Sequence, residues 1–229
     1  MSALYLLTGD IQTGKTRWLQ DLVESVYFAG GAPYGVIAPG VWEETFDGGE
    51  IHRVKTGIDN VLLPQNKSVS FARRADSPEA KNFANTQSSA GKLAWSISDD
   101  AISAVNQHFE NLQQECCKSH EGAHGFPRKG GSSFRDSFDS GEHARRGLLV
   151  VDELGILELQ RNAGLTCALS LLGLGPTVLY ENAVVVVREW LLDQAKDLLS
   201  SAWGECVTIF PNTQAKRLVI DSLDFDMGR

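Results

Sequence analysis

The stretch 6–19, LLTGDIQTGKTRWL, constrains this chain more than any other. It passes from an apolar run, through a turn bounded by glycines, into a segment with helical periodicity. Gly9, Asp10, Ile11, Gln12, Thr13, Gly14, Lys15 and Thr16 fit G-x-x-x-x-G-K-[ST], the pattern whose backbone amides wrap around phosphate groups. Each residue type has a reason. Gly9 and Gly14 let the main chain approach an anion closely and turn its amides inward. A helix opening near Lys15 aims the positive end of its dipole at that anion. Lys15 would reach the β- and γ-phosphates, the Thr16 hydroxyl would ligate Mg²⁺, and Arg17 would extend the binding loop. The other reading is a strand-to-helix turn that holds no ligand. Asp10 in a spacer position adds negative charge near the phosphates unless its side chain points outward.

The periodicity around this loop implies an α/β fold. A strand is expected at 5–7 and a helix at 15–29, with Trp18, Leu19, Leu22, Val23, Val26 and Tyr27 as its buried stripe. Gly30 and Gly31 supply the stop. Extended segments follow at 34–38, 41–46, 50–55, 60–63 and 68–72, with Asp47-Gly48-Gly49 as a hairpin signal. The block 34–73 therefore reads as a β-rich antiparallel insert. Ser98 is a helix N-cap before Asp99 and Asp100, and the apolar spacing carries that helix to about residue 116. Between 118 and 146 glycine, serine, histidine and charge replace aliphatics, as in a flexible, partly disordered loop that could serve as a protein-partner segment. Cys116, His120 and His124 share zinc-like spacing, but Gly122, Gly125 and Pro127 break the helix that would align them. Further elements are expected at 165–172 (helix), 183–187 (strand), 189–200 (helix, with Trp190, Leu191, Ala195, Leu198 and Leu199 inward) and 205–210 (strand). The alternation predicts a mostly parallel sheet flanked by helices in one 229-residue domain.

The second chemical motif is Leu148-Leu149-Val150-Val151-Asp152-Glu153. Consecutive aliphatics ending in two acids suit a strand buried on both faces, with the acids at its carboxyl end. A phosphate loop alone does not hold the metal, and an acid at the end of such a strand completes the site. Asp152 would hold Mg²⁺, and Glu153 could orient and polarise an attacking water. Without a phosphate loop these would be solvated acids flanking a buried strand.

Asp152-Glu153-Leu154-Gly155-Ile156-Leu157-Glu158-Leu159 resembles the D-E-[IL]-G-x-x-E-L signature of the cancer-related nucleoside-triphosphatase family, small P-loop proteins that hydrolyse several nucleoside triphosphates. The resemblance implies phosphate binding at 9–16, metal binding at Asp152, base duty at Glu153 and a structural or supporting role for Glu158. The loop departs from the family's pattern, which carries a central glycine where this chain has Ile11-Gln12-Thr13, and 118–146 reads as an insertion.

Three weaker candidates remain open. Arg188 follows a strand at the edge where open α/β sheets place ligands; it either reaches the γ-phosphate or sits in water or an ion pair. Asn212 either touches the nucleotide or forms a turn. Arg73 and Arg74 either approach a phosphate or form a solvated pair.

A net charge of −8 argues against general attraction to nucleic acid or an anionic membrane. No apolar run approaches the roughly 18 residues of a membrane span. The first residues carry no cationic leader, so Cys116, Cys117, Cys167 and Cys206 read as reduced thiols in a cytoplasmic protein. The expectation is a Mg²⁺-dependent hydrolase of the γ-phosphate of ATP- or GTP-like nucleotides. The alternatives are a phosphotransferase and a nucleotide-gated accessory protein.

Overall fold

The computed structural model describes residues 2–82, 87, 95–121 and 147–224. The elements are β1 (Leu4–Leu7), α1 (Lys15–Phe28), β2 (Ala32–Ile37), β3 (Gly40–Asp47), β4 (Glu50–Leu63), β5 (Lys67–Arg74), β6 (Trp95–Ile97) and α2 (Asp99–Glu121). The second half of the chain adds β7 (Gly147–Leu154), α3 (Ile156–Arg161), α4 (Thr166–Leu172), β8 (Asn182–Val187), α5 (Leu192–Trp203), β9 (Cys206–Ile209) and α6 (Thr213–Ser222).

Among the described residues the strands form one sheet in the order β6-β5-β4-β2-β7-β8-β1-β9, with β3 paired to β4. From β2 to β9 every pairing is parallel. From β2 outward to β6, and between β3 and β4, every pairing is antiparallel. The expected mostly parallel sheet with an antiparallel part is therefore what the chain builds. Residues 32–36 pair in parallel with β7 while 35–37 pair antiparallel with β4, so β2 is the seam between the two parts. The segment 60–63 is no separate strand but the end of a 14-residue β4.

Parity along the strands divides the interior into two cores. Leu4 and Leu6 of β1, Leu149 and Val151 of β7, and Ala183, Val185 and Val187 of β8 face the layer formed by α2, α4 and α5. Tyr5, Leu7, Leu148, Val150, Val184 and Val186 face α1 and α6. Each buried leucine or valine contributes about 1.5–3 kcal/mol relative to exposure, which is why these strands read as continuous aliphatic runs.

Most expected helix boundaries lie within a few residues of those observed. Ser98 accepts the Ala101 N–H at 3.2 Å and caps α2. Gly30, at φ 83°, ends α1, and Gly31 N–H reaches back to the Val26 carbonyl. Three apolar side chains placed inside by spacing lie outside: Tyr27, Trp190 and Leu198 are 42%, 61% and 48% exposed. For Trp190 the reason is a 3₁₀ turn over Glu189–Leu191, which shifts the helical phase before α5 begins. Helices α3 and α6 were not expected. α2 runs to Glu121, so helix replaces the first residues of the expected loop, and the rest of that loop lies outside the described residues. His124 lies there too, while Cys116 is buried in the core.

Candidate functional site

The carboxyl ends of β1, β7 and β8 meet on one edge of the sheet, with β8 between the other two. From β1 the chain enters the glycine-bounded loop. Gly14 sits at φ 84° at the start of α1, a conformation that costs other residues free energy. Gln12 sits at φ 65°. A side chain in this conformation costs roughly 1–2 kcal/mol in backbone strain. Asp10, Ile11, Gln12, Thr13 and Arg17 are exposed, so the Asp10 carboxylate does point outward.

Lys15 is half-buried, and its Nζ donates to the Gly9 carbonyl at 2.7 Å and the Asp10 carbonyl at 2.6 Å. The ammonium thus braces the loop from inside. Burial pulls its pKa down, opposed by the charges of Glu153, Asp10 and Asp152.

Strand β7 carries a bulge between Val151 and Leu154. Simple alternation would send Leu154 to the α1 face. The extra residue flips the parity, and Leu154 joins Leu149 and Val151 in the opposite core. The flip is accomplished at Glu153, which adopts φ 84°. Asp152 remains buried on the α1 side, where its Oδ2 accepts the Ala38 N–H at 2.9 Å and its carboxylate accepts the Thr16 hydroxyl. Burial raises its pKa from 3.8 to about 6, against the pull of those two hydrogen bonds. Glu153 is 43% exposed, and its Oε1 accepts Arg188 Nε at 2.7 Å.

The donor set fits a hard divalent cation. A buried carboxylate held against a threonine hydroxyl offers oxygen ligands and gains from a positive charge. Mg²⁺ would be held there by Thr16 and Asp152.

The other singled-out residues separate clearly. Glu158 is buried and takes the Gly155 N–H on Oε2 at 2.9 Å and the Leu165 N–H on Oε1 at 2.8 Å, clasping the ends of the 155–165 segment. Its Glu158→Ala variant is expected to lose about 2–4 kcal/mol by urea denaturation, because two buried amides lose their acceptor. Asn212 caps α6: its Oδ1 accepts the Ala215 N–H at 2.8 Å, and its carbonyl accepts Trp18 Nε1 at 2.8 Å. Arg73 pairs with Asp59 and Arg74 with Asp76.

Lys55, on β4, was missed by sequence reasoning. The charges of Asp152 and Glu153 are the ones that act on its ammonium. No motif marks it, because the antiparallel part of the sheet brings it to the site.

No family model matches this sequence, and no curated protein matches it. Two solved structures are similar in three dimensions. One is the solution structure of a human cancer-related nucleoside triphosphatase, with 14% identity, TM-score 0.52, 98% of this chain and 96% of that one covered. The other is the crystal structure of THEP1 from the hyperthermophile Aquifex aeolicus, with 14% identity, TM-score 0.53, and coverage of 97% and 96%. The chain has their fold. It is the α/β fold expected from the sequence, matched over nearly the full length of both proteins. Among the described residues no helix is long and apolar enough to cross a membrane.

Proposed function

We propose that this protein is a Mg²⁺-dependent nucleoside triphosphatase that releases the γ-phosphate. The observation that carries the reading is the bulge in β7. It leaves Asp152 buried against Thr16, at the mouth of the phosphate loop, and stands Glu153 at the open edge beside it. Of the two structurally similar proteins, the human one is a nucleoside triphosphatase, which agrees with this reading.

In this mechanism the amides of 9–16 and the Lys15 ammonium bind the β- and γ-phosphates. Mg²⁺, held by Thr16 and Asp152, would neutralise developing negative charge on the phosphate oxygens. Glu153 accepts a proton from water as the water oxygen bonds to the γ-phosphorus and the bridging β–γ P–O bond breaks. The products are a nucleoside diphosphate and inorganic phosphate. Arg188 is paired with Glu153. An incoming γ-phosphate competes for that guanidinium, which frees the Glu153 carboxylate to act as a base. Four free cysteines suit a reducing, cytoplasmic setting.

The test is phosphate release from purine and pyrimidine triphosphates, with and without Mg²⁺. Release that requires Mg²⁺ is expected, and no release from any of them overturns the reading. Label passing from the γ-phosphate to an acceptor would make the protein a phosphotransferase instead. In the same assay Lys15→Ala is expected to raise KM and cut kcat/KM by at least 10²-fold. It removes a charge-assisted contact to each phosphate and the two bonds that brace the loop.

A further inference from the structure

Lys55 has the features of a group waiting for an anion. It lies midway along β4, opposite Trp42 of β3, and is half-buried. Its stem runs past Gly40, where a Cβ would stand 2.8 Å from Lys55 Cε and 3.4 Å from Cδ. The glycine therefore keeps that lane open. The ammonium is 5.5 Å from the centroid of the Trp95 ring, which favours a cation without neutralising it. Among the described residues Lys55 has no ion-pair partner, whereas Arg53, Arg73, Arg74 and Arg188 each have one.

A partly desolvated ammonium with no carboxylate in ion-pair contact is costly, and its position needs a cause. Gly40, against which the Lys55 stem packs, lies two residues after Ala38, whose N–H binds Asp152 Oδ2 at 2.9 Å, so Lys55 reaches the backbone that holds the buried acid, and the charges of Asp152 and Glu153 act on its ammonium. Lys15 feels the same two carboxylates from the loop side, and Arg188 binds Glu153 from β8. Three cations from three separate parts of the fold thus act on the two acids. Lys15 and Arg188 arrive from the parallel strands, and Lys55 arrives from the antiparallel part. A strongly anionic group entering beside the acids would meet all three.

We propose that Lys55 contacts the terminal phosphoryl group of the bound triphosphate, so that the antiparallel strands supply the charge by which the site prefers a triphosphate over a diphosphate. The proposal rests on the nucleoside-triphosphatase reading for the nature of the ligand. Its physical content is a charge-assisted hydrogen bond made only when a γ-phosphate is present. A purely structural Lys55 would support Trp95 and Gly40 and would affect both ligands alike.

The test is calorimetric binding of a non-hydrolysable triphosphate analogue and of the matching diphosphate, with Mg²⁺, to the full chain. Lys55→Met keeps most of the stem and removes the charge; Lys55→Arg keeps a cation. Lys55→Met is expected to weaken triphosphate binding by about 10–100-fold, the range of one charge-assisted hydrogen bond, with diphosphate affinity changed less than about twofold. Lys55→Arg is expected to recover most of the loss. Because the readout is a ratio of two affinities, a lower folded fraction does not imitate it. Equal weakening of both ligands, or none, overturns the proposal. Phosphate release is measured alongside. A wild-type protein that prefers the triphosphate through Lys55 but releases no phosphate loses the hydrolase reading and keeps this one. A wild-type protein that hydrolyses normally while Lys55→Met is unaffected does the reverse. Failure to bind either nucleotide removes both.

Discussion

Glu153→Gln is expected to bind nucleotide with wild-type affinity, within a few-fold, and to release phosphate about 10²–10⁴-fold more slowly, the usual worth of a general base. The amide has nearly the shape of the carboxylate but cannot take the proton from water. Folding stability is expected to change by less than about 1 kcal/mol, because the pair with Arg188 is only half-buried and such pairs are worth little. The backbone at Glu153 is in the left-handed region, where a non-glycine residue costs about 1–2 kcal/mol. A strained acid at the open edge of the site is what a functional constraint produces, and strain of this kind is found where geometry serves chemistry. Single-turnover phosphate release with a binding measurement on the same sample checks this. Full turnover in Glu153→Gln would remove Glu153 from the mechanism.

Asp152→Asn is expected to make the nucleotide-free protein more stable while abolishing Mg²⁺-dependent hydrolysis. The Asp152 pKa is raised from 3.8 to about 6, first by burial. The folded state therefore holds this proton more tightly than the unfolded chain does. The contribution to stability is favourable below about pH 4, is lost as pH rises towards 6, and is absent above that. A shift of this size corresponds to about 3 kcal/mol. Asparagine carries no charge and can keep both hydrogen bonds. Its carbonyl oxygen accepts from Ala38 N–H, and its amide donates to Thr16 Oγ1. At pH 7 the variant should gain about 1–3 kcal/mol, or roughly 2–4 °C of Tm per kcal/mol for a chain of this length. Its stability should also lack the decline between pH 4 and 6. Calorimetric melting without nucleotide at pH 4.5 and 7 decides it. A variant less stable than wild type at pH 7 would show that the buried carboxylate is not the liability described here.

Much of this architecture is legible locally. The strand–loop–helix of 4–28 follows from an apolar run, two glycines with positive φ and a stripe at helical spacing. The buried strand 147–154 follows from its unbroken aliphatics, and the cap of α2 from Ser98. Misplacements occur where tertiary context overrides local pattern. Trp190 reads as helical interior, but a 3₁₀ turn rotates it outward. The segment 32–37 reads like the strands after it, yet its partner is β7 rather than β4 alone. Asn212 reads as a turn residue because the helix it caps was not expected.

The candidate site divides along the same line. By itself the sequence determined a glycine-bounded loop running into a helix with Lys15 and Thr16, and a strand ending in two acids, because each is a short-range pattern whose residues are neighbours in the chain. Only the tertiary structure decided how these parts meet. The bulge that turns Leu154 to the far core is set by the register of β7 on β8, and the contact of Asp152 with Thr16, the pairing of Glu153 with Arg188 and the approach of Lys55 join residues from separate elements. Their positions depend on strand order and register, which are set by the packing of two cores on opposite faces of one sheet and not by any local run of residues.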